Sequence, residues 1–182
     1  MKLALALLVG LFAGIPPAFA SGEAIDDFFG RWVGQGIAET EVGQDTERQV
    51  RGLEVIVRDH PTGFQLCWST TRIKISRPDR QTFAMMIFAP TDTAGSWKAV
   101  FSADGSATEG SARAELRDGT LRVFNRATKE NGDAELQIYE RRLSRGGMDL
   151  HFTRFDNDEL VRVVQGRLER VERATGEAAP WC

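Results

Sequence analysis

From Arg31 to Val171 the chain is a succession of short alternating runs cut by turn signals, and that rhythm limits its folds more than any other feature. The runs are Arg31–Glu41, Gln49–Arg58, Gly63–Thr70, Arg72–Ser76, Gln81–Ala89, Trp97–Ala103, Ser111–Arg117, Thr120–Thr128, Ala134–Leu143, Met148–Phe155 and Leu160–Val171. Between them stand His60-Pro61-Thr62-Gly63, Arg77-Pro78-Asp79, Asp104-Gly105, Asp118-Gly119, Asn131-Gly132-Asp133, Gly146-Gly147 and Asp156-Asn157-Asp158, each with a residue that accepts a tight bend. Asp118-Gly119 between two alternating runs is the sharpest hairpin signal. After Phe29 no segment carries an apolar stripe of 3.6-residue period, so crossover helices and a parallel sheet are excluded. The fold predicted is all-β: a single up-and-down antiparallel β-barrel of about 8–10 strands with a short N-terminal helical turn, since a long meander hides its edges by closing. Such a barrel either fills its interior or holds one small ligand.

The first strand opens with Phe28-Phe29-Gly30-Arg31-Trp32-Val33-Gly34-Gln35-Gly36-Ile37. Glu23 to Phe29 reads as an amphipathic turn, and Gly34, Gly36 and Ala38 share the parity of Trp32. Small residues on one face let a strand bend sharply or let another backbone approach. A helical turn followed by Gly30-x-Trp32 on the first strand of a small all-β chain resembles the start of a lipocalin or related calycin barrel. The resemblance implies a carrier of small molecules. It also implies structural roles for Gly30 and Trp32, with a late arginine packed over the tryptophan to close the barrel base. Arg167 and Arg170 both qualify, and spacing does not choose between them.

Met1-Lys2, the apolar run Leu3–Ile15 and the box Ala18-Phe19-Ala20 read as a secretory signal peptide over residues 1–20. The expected organisation is therefore a leader (1–20), a lipocalin-like barrel domain (21–172) and a C-terminal tail (173–182), in a periplasmic or secreted protein. No second apolar run of membrane-spanning length exists, so no stable membrane insertion is expected after cleavage. The chain holds 23 Lys and Arg against 26 Asp and Glu, and no basic block, which argues against nucleic acid. Its two cysteines, Cys67 and Cys182, allow one pairing, and an even count in an oxidising compartment favours a disulfide over two free thiols. Phe64, Leu66 and Trp68 share one face of their strand, so Cys67 points to the other. A bridge from a wall strand to the tail, outside the barrel, is also similar to lipocalins.

One parity of the central strands gives a candidate apolar lining: Leu53, Val55, Phe64, Leu66, Trp68, Met85, Ile87 and Phe101. Met86 and Phe88 occupy the opposite parity of their strand. These residues are either solid core or the wall of a small-molecule site. Catalytic chemistry is thin. His60 sits in a Pro turn, His151 alternates with Leu150 and Phe152, and no Gly-x-Ser-x-Gly elbow exists. The acidic group Asp156, Asp158 and Glu159 reads as a solvated turn, and no zinc spacing is present. We therefore expect no enzyme, metal or cofactor. The reading is an exported protein that binds a small apolar or amphipathic molecule. Two alternatives stay open: a partner-binding module similar to bacterial protease-inhibitor barrels, and a haem barrel using His151, since the Gly-x-Trp-x-Gly-x-Gly rhythm also resembles nitrobindins.

Overall fold

The computed structural model describes residues 24–42, 45–73, 80–102, 112–129, 131–172 and 181–182. The expected leader (1–20) and tail residues 173–180 lie outside these. A 3₁₀ turn, η1 (Ile25–Phe28), precedes ten strands: β1 (Gly30–Val42), β2 (Asp45–His60), β3 (Gly63–Arg72), β4 (Arg80–Pro90), β5 (Ser96–Ser102), β6 (Ala112–Arg117), β7 (Thr120–Thr128), β8 (Ala134–Ser144), β9 (Gly147–Asp156) and β10 (Glu159–Glu172). Each strand pairs antiparallel with the next, and β1 pairs with β10, so the barrel is closed. The runs expected at 63–70 and 72–76 are not two strands. β3 continues through Thr71 to Arg72, and residues 74–79 lie outside the described chain.

Turn chemistry sets the hairpins. Asp118 and Gly119 both adopt positive φ (49° and 72°), and so do Asn157 and Asp158 (49° and 68°). Two consecutive left-handed residues match the twist of the flanking strands and close a two-residue loop.

The β1–β10 seam depends on absent side chains. Gly34 lies opposite Leu168, and Gly36 opposite Gly166. A Cβ on Gly34 would stand 2.0 Å from the Arg167 carbonyl oxygen, and one on Gly166 2.5 Å from Leu53 Cδ1. The small-residue face of the first strand therefore admits both the neighbouring backbone and a core leucine.

One end of the tube is solid. Phe28 is fully buried, and the Trp32 indole Nε1–H donates to its carbonyl oxygen at 2.9 Å. Gly30, at φ 140°, turns the chain from η1 into β1 in a conformation that favours glycine. The Arg170 guanidinium lies 4.3 Å from the Trp32 ring centre and donates to the Asp27 carbonyl oxygen at 2.6 Å. Arg170 is thus the closing arginine. Arg167, opposite Gln35 on the outer parity, pairs instead with Asp149 and bonds Ser144 and the Arg145 carbonyl. Above this base Phe64 stacks on Phe88 at 4.9 Å and meets Trp97 edge-on at 5.4 Å. Leu66, Met86, Leu121, Val123, Met148 and Leu168 fill the remaining space and are fully buried.

Outside the wall, Cys67 and Cys182 form a disulfide between β3 and the tail, 115 residues apart in sequence. Arg58 and Gln65 both donate to the Cys182 carbonyl oxygen, at 2.7 and 3.1 Å, and Trp181 lies 5.3 Å from the Phe83 ring.

Candidate functional site: an arginine-rich cavity in the mouth half of the barrel

The half of the barrel away from η1 is hollow. A cavity of about 400 Å³ is walled by Leu53 and Val55 of β2, Trp68 and Thr70 of β3, Tyr139 of β8, Leu150 and Phe152 of β9, and Val164 of β10. Strand register builds this wall. Val55 faces Trp68 across β2–β3, Tyr139 faces Phe152 across β8–β9, and Phe152 faces Val164 across β9–β10. The aromatic rings form a continuous band: Trp68 to Tyr139 is 5.0 Å between centres, and Tyr139 to Phe152 is 4.7 Å.

The lining is also strongly cationic. Arg51, Arg72, Arg80, Arg141, Arg154 and Arg162 contribute to it, and among the described residues Glu54 is the one carboxylate in the lining. Glu54 is held by Arg31 at 2.6 Å. Arg154 pairs with Glu135 at 2.7 Å and Asp156 at 3.2 Å, and Arg162 donates to the Thr40 hydroxyl at 3.2 Å. Burial lowers the pKa of Arg51, and nearby Arg72 and Arg162 lower it further. Burial likewise lowers that of Arg162, helped by Arg154 and Arg72. Like charges gathered at one mouth attract an anion and repel a cation.

The predicted lining divides into four groups. Leu53, Val55 and Trp68 do wall the cavity. Phe64 and Leu66 also point inward, but they lie in the solid base. Met85 and Ile87 do not point inward. Leu66 pairs with Met86 and Phe64 with Phe88, so the other parity of β4 faces out. The Gln65 amide reaches the Met85 sulfur on that outer side, beside Cys67 and the tail. Both parities of β4 are apolar although only Met86 and Phe88 are fully buried and Met85 and Ile87 are half-buried, so alternation does not mark the inner face there. Phe101 pairs with Ile87 through its backbone, and its side chain lies outside the described part.

His151 is on the outer wall, opposite Gln165, with Nδ1 3.1 Å from Glu140. It therefore cannot ligate a group held inside the barrel. Glu140 also accepts from Arg122 at 2.7 Å; that bond and His151 hold its carboxyl below the usual range against the opposing effect of burial.

Sequence reasoning missed Tyr139 and the arginines. On β8 the inner parity is Glu135, Gln137, Tyr139 and Arg141, whereas Leu136 and Ile138 face out. An apolar-inside reading selects the wrong face of such a strand. The usable signal was Phe152, whose inward partner across β8–β9 is Tyr139.

No family model matches the chain, and no curated protein does. Two of the solved structures that share its fold illustrate the likeness. One is a protein of unknown function from the DUF3598 family of Nostoc punctiforme, 16% identical, with a TM-score of 0.55 over 87% of this chain. The chain spans 53% of that protein's length. The other is the S-type phycobiliprotein lyase CpeS of Guillardia theta, 7% identical, with a TM-score of 0.56 over 80% of this chain and 89% of the lyase. At such identities the likeness is one of fold.

Proposed function

We propose that the protein is an exported carrier of the lipocalin type that holds a small amphipathic molecule in the mouth half of its barrel. The observation that carries this reading is the contrast between the two halves. One is packed solid around Phe64, Phe88 and Trp97, and the other keeps about 400 Å³ open beside three aromatic rings. Cavities of about 300–1,000 Å³ with mostly apolar walls and a few polar groups are the usual form of a small-molecule site. Burying apolar ligand surface there contributes roughly 25 cal/mol per Å², from which the cost of immobilising the ligand is subtracted. The leader-like residues 1–20 and the Cys67–Cys182 bond support an oxidising compartment outside the cytoplasm.

The test is titration with N-phenyl-1-naphthylamine, an apolar fluorophore. Bright, saturable fluorescence is expected, with energy transfer from tryptophan that falls in Trp68→Ala while the fold is retained. Absence of saturable binding, or binding indifferent to Trp68→Ala and Phe152→Ala, would refute the carrier reading.

A further inference from the structure

Arg141 sits on the inner parity of β8, opposite Leu121 on β7 and Leu150 on β9. It is completely buried, and its Nε, Nη1 and Nη2 all lack a hydrogen-bond partner. A buried guanidinium normally has its five N–H groups engaged, because an unpaired buried charge is among the costliest features a fold can carry. The charge here meets only the faces of Trp68 and Tyr139, at 5.7 and 5.4 Å. Those contacts return part of the lost hydration and satisfy no N–H. Burial pulls the pKa of Arg141 down to about 10, which still leaves it charged at neutral pH. The residue lines the cavity already described, at its inner end.

The other cavity arginines differ. Arg72 and Arg80 face each other at the ends of β3 and β4, at the mouth. Arg154 and Arg162 already have partners. Among the described residues, Arg141 alone joins complete burial at the cavity to three unpartnered guanidinium nitrogens; Arg51 is 7% exposed and has the Glu47 carboxylate nearby.

Resting on the carrier reading above, we propose that the ligand is a carboxylic acid with an apolar body, bound head first. Its carboxylate seats against Arg141, and its body lies along Trp68, Tyr139 and Phe152. A carboxylate offers two coplanar oxygens that match the guanidinium fork. The mouth arginines draw the anion in, and the dry floor then gives the head group its largest gain. A neutral amphiphile of the same length gains the apolar contacts alone.

The experiment displaces N-phenyl-1-naphthylamine from the full chain with decanoic acid or decanol at pH 8. Charge-assisted pairing predicts that the acid binds about tenfold to a hundredfold more tightly than the alcohol. Arg141→Met should bring the acid down to the level of the alcohol and leave the alcohol unchanged. Arg72→Gln with Arg80→Gln should slow association and preserve the preference. A readout that needs no folded variant is the Arg141 Nε–H resonance of the wild-type protein. It should move downfield with decanoate and stay still with decanol. Equal displacement by acid and alcohol, or a preference that survives Arg141→Met and vanishes in the mouth variant, would overturn the head-first proposal and leave the carrier standing. If the fluorophore itself fails to bind, the carrier reading falls, and this one with it.

Discussion

Replacing Arg141 by methionine should make the empty barrel more stable. Methionine keeps the volume of the aliphatic stem and removes the charge. The fall of the Arg141 pKa from the ordinary guanidinium range to about 10 corresponds to roughly 3 kcal/mol against the charged form. The faces of Trp68 and Tyr139 give back about 1–2 kcal/mol together. The substitution therefore gains about 1–2 kcal/mol, a rise in Tm of roughly 3–6 °C for a domain of this size. The pH dependence has a definite sign. The folded pKa lies below the unfolded one, so the charged form is penalised in full below about pH 10. The penalty fades only as pH rises from there towards the ordinary guanidinium value, where the unfolded chain holds the proton that the folded chain has lost. The gain should accordingly be flat between pH 6 and 9. Urea unfolding followed by tryptophan fluorescence at pH 7 and pH 9 measures it. Decanoate at a hundred times its Kd should close most of that gap, since it adds about 2.7 kcal/mol to the wild type and about 0.4–1.4 kcal/mol to a variant that binds it ten- to a hundredfold more weakly. A loss of more than about 1 kcal/mol in Arg141→Met without ligand would mean that the guanidinium is neutralised within the fold, and the reasoning would fail.

Three further outcomes follow from the architecture. Cys67→Ser frees a 115-residue loop and should cost up to about 5 kcal/mol in the chain-entropy model, seen as a lower urea midpoint that the wild type matches under reductant. Gly34→Ala forces a methyl group onto the Arg167 carbonyl, 2.0 Å away, and should cost about 1–3 kcal/mol or more, with amide exchange accelerated along β1 and β10 first. The Arg122 bond holds Glu140 below the usual carboxylate range, so the stability it lends is present at neutral pH and disappears as pH falls through its depressed value; Arg122→Met should return its carboxyl carbon NMR titration toward the ordinary range.

The strand rhythm made the barrel legible before any coordinates. Within the described residues the turn signals marked the bends, while Arg77-Pro78-Asp79 and Asp104-Gly105 lie outside them; Gly34, Gly36 and Ala38 announced a close seam. Trp32 also announced the base, but not its partner. Arg167 and Arg170 differ by three positions and hence in parity, and only the β1–β10 register puts Arg170 opposite Trp32. The cavity was half legible. Leu53, Val55 and Trp68 obey alternation and do line it. β4 misled because its outer parity is apolar as well: Met85 is half-buried against the Gln65 amide beside the Cys67–Cys182 bond, and Phe83 packs near Trp181 while staying partly exposed. β8 misled for the opposite reason. Its inner parity carries Glu135, Gln137 and Arg141 beside Tyr139, so an apolar-inside rule selects the wrong face.

The seam between β1 and β10 has a constructive consequence. Arg31 and Glu172 are register partners, so the barrel's first and last strands lie side by side at the same rim. Every strand then has the same two kinds of neighbour, and none is first except by convention. A short linker joining the two, with new ends opened at the Gly146 turn or at Asp118-Gly119, should return the same tube in a different reading order.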